Sequence, residues 1–132
     1  MTALALGMVT LVVPDYDEAI AFFVGKLGFR LVADRRENET KRWVEVAGSD
    51  GLRLLLARAA NEDQAAAIGN QAGGRVGFFL YTDDFAATHA AMRAKGVAFD
   101  GEPRHESYGS VAVFTDVAGN RWDLIQPAME PQ

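Results

Sequence analysis

The sequence predicts an α+β fold of two tandem βαβββ modules. Three observations carry this: an internal repeat, an acidic helix-capping signal opening each copy, and β-branched or aromatic runs bounded by Gly, Asp and Asn turns. The stretch Val13-Pro14-Asp15-Tyr16 through Lys26-Leu27-Gly28-Phe29 matches Thr82-Asp83-Asp84-Phe85 through Lys95-Gly96-Val97 at an offset of 69, or 68 with Leu27 as an insertion. The offset of 68 also aligns Asp50-Gly51-Leu52-Arg53-Leu54-Leu55-Leu56 with Ala118-Gly119-Asn120-Arg121-Trp122-Asp123-Leu124, a turn and a closing strand in each half.

Met8–Val13 reads as the first strand. Met1 to Val13 is apolar but has no Lys or Arg and falls short of the roughly 20 residues that cross a bilayer, so it is read as mature chain rather than a leader or a span. Asp15 caps the helix that follows, with Glu18 in its first turn. Tyr16, Ala19, Ile20, Phe23 and Leu27 form its apolar stripe, and Gly28 stops it. Strands follow at Phe29–Arg36, Arg42–Ala47 and Leu52–Arg58. Asp34 to Lys41 reads as a solvated hairpin connection, and Gly48-Ser49-Asp50-Gly51 as a turn. Ala59 to Ile68 reads as a short helical connector that Asn61 caps, and Gly69 to Gly74 as a flexible junction. The second copy has a strand at Val76–Tyr81 and a helix capped by Asp84, with Phe85, Ala91, Met92 and Gly96 in the roles of the first stripe. Its further strands are Val97–Phe99, Gly109–Thr115 and Arg121–Gln126, and the tail from Pro127 to Gln132 reads as frayed. The chain is thus one domain, with module one at about 5–58, a connector at 59–74 and module two at about 75–127.

Composition narrows the function classes. The 132 residues are 49% hydrophobic and 23% charged, an ordinary balance for a globular domain. With no cysteine, disulfides, thiolate nucleophiles and thiolate zinc sites are excluded, which fits a cytoplasmic protein. Thirteen basic and 18 acidic residues give a net charge of −5 with no basic stripe, so a nucleic-acid partner is not expected. No Ser-His-Asp triad, P-loop or dinucleotide-binding glycine fingerprint is present.

Two stretches carry a family resemblance: Val9-Thr10-Leu11-Val12-Val13-x-Asp15 before a helix ending in Leu27-Gly28-Phe29, and Val111-Ala112-Val113-Phe114-x-Asp116-x-x-Gly119-Asn120-x-Trp122-Asp123-Leu124-Ile125. The chain resembles the vicinal oxygen chelate superfamily, which includes glyoxalase I, bleomycin-resistance proteins, fosfomycin-resistance enzymes and extradiol dioxygenases. The resemblance runs from about Leu6 to Pro127 and is specific for the fold, not for a reaction. It implies a cupped, barrel-like mixed sheet with the helices outside and the chemistry in the hollow, commonly on a divalent metal. Carried over by local pattern, the four metal positions fall on Met8, Leu55, Gly77 and Asp123. One carboxylate beside a thioether, an isobutyl group and a hydrogen does not hold a hard or borderline cation. No cofactor is therefore expected, a divalent metal being the alternative. Of the two histidines, His89 falls on the helix and His105 in a loop.

Strand alternation furnishes the hollow from those four positions. Met8, Thr10 and Val12 share one face, as do Arg53, Leu55 and Ala57; Gly77, Phe79 and Tyr81; and Arg121, Asp123 and Ile125. Val9, Leu11, Val13, Leu54, Leu56, Phe78, Leu80, Trp122 and Leu124 are the expected helix-side core. Trp43 and Glu45 share a face of their strand, with Val44 the inward alternative. His105 and Tyr108 sit on a loop that, by the resemblance, lies near the mouth of the cup. Asp123 has two readings: a structural partner of Arg121, Arg53 or a backbone amide, or a ligand contact with general-base potential.

The leading expectation is a metal-independent binding protein that sequesters a small, partly aromatic ligand. Trp43, Phe79 and Tyr81 would stack on or cover it, and the acidic balance and Asp123 would favour a cationic or hydrogen-bond-donating molecule. The alternative is a lyase, isomerase or dioxygenase-type enzyme in which Asp123, with a metal or as general base, or His105 as base, acts while Arg53 or Arg121 holds an enolate-like oxygen. A degenerate member with only an interaction role is the third reading. The resemblance also implies a homodimer, for which the exposed strand edges are suitable surfaces; no membrane partner is expected.

Overall fold

A computed structural model describes residues 2–49 and 51–129. Asp50 of the expected turn, Met1 and the last three residues of the expected frayed tail lie outside the described residues. The chain divides into two units, Met1–Ile68 and Gly69–Gln132, each with its own four-stranded sheet.

In the first unit, β1 (Met8–Val13) leads into α1 (Tyr16–Ile20), followed by β2 (Arg30–Arg36), β3 (Arg42–Ala47), β4 (Arg53–Arg58) and the short α2 (Glu62–Ala67). The sheet order is β1-β4-β3-β2, with β1 parallel to β4 and the other pairs antiparallel. Asp15 caps α1 by accepting the Glu18 N–H at 2.8 Å. The helix then departs from the single 3.6-residue period expected for it. Ala21–Lys26 is π-helical, with Leu27 N–H reaching back five residues to the Phe22 carbonyl at 3.1 Å. The wider turn brings both Phe22 and Phe23 into the core and leaves Ile20 and Leu27 only half-buried. Beneath α1 lie Leu11, Val13, Leu54, Leu56, Val44 and Val46, each worth roughly 1.5–3 kcal/mol when fully removed from water. Val9, expected in this layer, is 36% exposed near the start of its strand.

The second unit repeats the scheme with β5 (Val76–Tyr81), α3 (Phe85–Ala94), β6 (Phe99–Glu106), β7 (Gly109–Thr115) and β8 (Arg121–Pro127), in the order β5-β8-β7-β6. Asp84 caps α3 through the Ala87 N–H. Phe85 and Met92 are buried under it, whereas Ala91 turns to solvent because the helix presents only a narrow stripe. The strand expected at Val97–Phe99 instead begins at Phe99 and continues through the stretch read as a loop. It was hidden by a bulge: Asp100 pairs with Val113 and Arg104 with Val111, so three residues of β6 oppose one of β7. Gly101 takes φ +82 there, a left-handed value suited to glycine, and Pro103 follows it on this edge strand.

The terminal motif closes the second unit. Buried Asp116 accepts from the backbone N–H groups of Ala118 and Asn120 at 2.9 and 3.0 Å, from Asn120 Nδ2 at 3.3 Å and from Trp122 Nε1 at 2.9 Å. Four donors on one carboxylate fix the turn and seat the indole against Phe114 and Phe78, with ring centroids 5.6 and 4.6 Å away.

Candidate functional site

In the first unit, register decides which side chains share the face away from α1. Glu45 lies opposite Leu55, Ala47 opposite Arg53, Met8 beside Arg53 and Thr10 beside Leu55. Met8, Thr10, Trp43, Arg53 and Leu55 are thus neighbours on one face, and Trp43 and Glu45, not Val44, point to it. At its centre, Arg53 Nη1 donates to Glu45 Oε1 at 2.9 Å and the Trp43 indole N–H donates to Glu45 Oε2 at 2.5 Å. The indole bond, then the guanidinium, hold the Glu45 carboxyl below its ordinary pKa despite its burial. Arg35, opposite Trp43 on β2, lies over the indole ring at 5.7 Å.

The same sheet forks at one end. Pairing of β3 with β4 ends at Val44 and Leu56, while Arg42 and Trp43 stay with β2 and Ala57 and Arg58 stay with β1. Tyr16 enters the fork from the helix side, where its hydroxyl accepts the Arg42 backbone N–H at 3.1 Å. Its ring lies under both guanidinium groups, Arg42 at 5.2 Å and Arg58 at 5.5 Å. Arg58 Nη2 reaches across to the Thr40 carbonyl. The result is a cavity of about 620 Å³ walled by Tyr16, Arg42 and Trp43, the hairpin residues Asn38, Thr40 and Lys41, the run Leu55–Ala60, and Gln64. Of this wall, the sequence reading places only Trp43, Leu55 and Ala57 in the hollow. The hairpin that reads as a solvated connection is one of its sides.

In the second unit, Phe79 and Val113 flank Asp123, and Tyr81 and Val111 flank Ile125. Asp123 carries the anomaly of this face: its Oδ1 is buried and accepts no hydrogen bond among the described residues, and burial pushes its pKa upward. The proposed structural partners are engaged elsewhere, Arg121 with Asp100 at 3.3 Å and Arg53 with Glu45. Phe79 and Tyr81 are 58% and 68% exposed. His105 is corrected from loop to strand. It lies on β6 opposite Ser110, bonded to the serine hydroxyl at 2.9 Å, with its ring edge toward Phe85 of α3 at 6.2 Å. Alternation therefore gives the Asp123 face to Arg104, which pairs with Val111 and whose charge opposes the rise in the Asp123 pKa. Tyr108 is an exposed turn residue whose carbonyl accepts the Ala128 N–H at 2.8 Å. His89 lies on the helix side, stacked on Phe85 at 5.5 Å and meeting Phe99 at 4.5 Å.

The positions implied for a metal offer Met8 and Leu55 in one unit and Gly77 and Asp123 in the other. Among the described residues, no group of three or more His, Asp or Glu side chains is arranged to hold an ion. This donor set does not fit a divalent cation.

A sequence model of the Glyoxalase/Bleomycin resistance protein/Dioxygenase superfamily matches residues 5–124. The chain belongs to that superfamily. A superfamily relative from Shewanella frigidimarina (strain NCIMB 400), described as uncharacterized, is 53% identical over 121 residues, covering 89% of this chain and 90% of its own. Among solved structures, UcmS2 superposes with a TM-score of 0.81 at 32% identity, over 94% of this chain and 98% of that one. TnmS3, an antibiotic binding protein from Streptomyces sp. CB03234, superposes with a TM-score of 0.76 at 31% identity, over 97% and 99%. The tandem α+β modules read from sequence are the architecture these structures share, and the Asp116 cluster gives a physical reason for the terminal signature: it locks the last turn and strand.

Proposed function

We propose that this protein is a small-molecule binding protein that sequesters a compact, partly aromatic ligand without a metal, in the cytoplasm and as a homodimer. The Arg53–Glu45–Trp43 network carries the reading. The carboxylate on the strand face of module one is tied to a guanidinium and an indole, and an aromatic, a cation and aliphatic walls surround it, the mixture expected of an organic-ligand site. The likeness to TnmS3 supports the same class of role. The dimer rests on Phe79 and Tyr81, exposed on the edge strand β5, and light scattering should return twice 14.3 kDa. Among the described residues no helix is long and apolar enough to cross a membrane.

A thermal-shift panel tests the reading. Polycyclic aromatic and antibiotic ligands should raise the melting temperature saturably, a ligand at 100 times its dissociation constant adding about 2.7 kcal/mol of stability. Nickel, zinc, manganese and ferrous ions should not, and stoichiometric stabilisation by any of them overturns the metal-free reading. A lyase or isomerase using Asp123 as base is the second reading, favoured by its buried, unbonded Oδ1 and raised pKa. Under that reading Asp123→Asn abolishes turnover while ligand affinity persists.

A further inference from the structure

We infer that the forked end of the module-one sheet is an anion subsite, selecting aromatic ligands that carry a carboxylate or an ionised phenol. The inference rests on the small-molecule reading above and names the ligand class taken by this cavity, which meets the strand face at Trp43 and Leu55.

Charge bookkeeping around the cavity points to it. Among the described residues no Asp or Glu lines the 620 Å³ space, whereas Lys41, Arg42 and Arg58 all do. Arg42 is paired with Asp34 at 2.8 Å and Asp17 at 2.9 Å; its guanidinium holds the Asp34 carboxyl below its ordinary pKa, and the two carboxylates raise that of the guanidinium. Lys41 and Arg58 make no ion pair among the described residues. Glu45, on the strand face of the same sheet, is paired with Arg53. The three cations lining the recess, set against the two carboxylates that pair with Arg42, leave it a local charge of about +1 in a chain whose net charge is −5. This differs from the expectation, drawn from the acidic balance and Asp123, of a cationic or hydrogen-bond-donating ligand: a bound group feels the charges within about a Debye length, not the chain total.

Geometry supplies the rest. Arg58 is anchored, with its Nη2 on the Thr40 carbonyl and its guanidinium over Tyr16, so its remaining N–H groups can meet an anion with little loss of side-chain entropy. The same cavity also has an apolar lining, from Leu55, Leu56, Ala57 and Trp43. An aromatic carboxylate matches both halves, its ring toward Trp43 and its oxygens toward Lys41 and Arg58.

A matched series tests the charge preference directly: naphthoate, naphthamide and naphthylmethylammonium, titrated into the intact protein by calorimetry with Trp fluorescence alongside. Naphthoate is expected to bind about tenfold or more tighter than the amide, the ammonium weakest. Raising salt from about 20 mM to about 500 mM should weaken naphthoate alone. Lys41→Gln and Arg58→Gln, each checked for an intact circular-dichroism spectrum and melt, should bring naphthoate down to the amide's affinity and leave the amide unchanged. Lys41 makes no side-chain bond to the fold among the described residues, so its variant remains interpretable if Arg58→Gln unfolds. Equal binding of naphthoate and naphthamide, or a preference that survives Lys41→Gln, overturns the anion subsite while leaving a binding protein in place. Failure of all three probes overturns it too, and the wider ligand panel then decides whether the binding reading falls with it.

Discussion

Arg53 Nη1 stands 2.9 Å from Glu45 Oε1, across the β3–β4 pair, whose register sets the guanidinium diagonal to a buried carboxylate. With the Trp43 indole on the other oxygen, Glu45 has become a fixed part of the face rather than a free acid.

Glu45→Gln should lower stability at pH 7 by about 1–3 kcal/mol, since the Arg53 charge loses its partner. Because the folded carboxyl lies below its ordinary value of 4.5, the stability it contributes is complete above that value and is lost as pH falls through the depressed folded one. Urea unfolding from pH 7 down to pH 3 should show wild type converging on the variant only at the acidic end; a constant gap contradicts the ion pair.

Asp123 should behave in the opposite sense. Its folded pKa is raised by burial, so the folded state holds a proton that the unfolded chain releases, and stability falls as pH rises from 3.8 through the folded value. Asp123→Asn is expected to melt higher than wild type at pH 7, by about 1 kcal/mol, and no differently near pH 3. A lower melt at pH 7 would reveal a structural bond from the carboxylate.

Tyr16→Phe removes the acceptor for the Arg42 N–H in the fork while keeping the ring beneath the two guanidinium groups. It should cost about 1 kcal/mol and, more diagnostically, accelerate hydrogen exchange at the Arg42 amide with β1–β4 pairing undisturbed. Unchanged exchange at Arg42 would place its protection elsewhere.

Asp116→Ala should be the most damaging of these changes, about 3 kcal/mol or more, because it strips the acceptor from the Trp122 indole and from the turn amides of Ala118 and Asn120. Asp116→Asn keeps one acceptor oxygen and should recover part of the loss. Ligand affinity measured below the melt should be the same in both.

The modules were legible because their determinants are local. Asp15 and Asp84 announce helix starts, and the repeat offset forces two equal halves. What escaped depends on partners distant in sequence or on irregular backbone. The π-helical stretch put Phe22 beside Phe23 in the core, which no 3.6-residue stripe anticipates. The β6 bulge at Gly101–Pro103 disguised a polar edge strand as a loop and so misplaced His105. The fork is invisible in sequence because it is a pairing that stops, and Tyr16, Lys41 and Arg58 meet there only after three strands and a helix are assembled. Trp43 and Glu45 were found, but their inward face needed the register with Leu55 to decide it.

The four-donor clasp on Asp116 has an evolutionary corollary. Since, among the described residues, that carboxylate bonds to its own turn and indole, side chains lining the recess can be exchanged, lysine for glutamate for example, without loosening the final strand. Kinship recognised through this clasp therefore reports ancestry of the scaffold, and each lineage's chemistry has to be read from whatever its hollow currently holds.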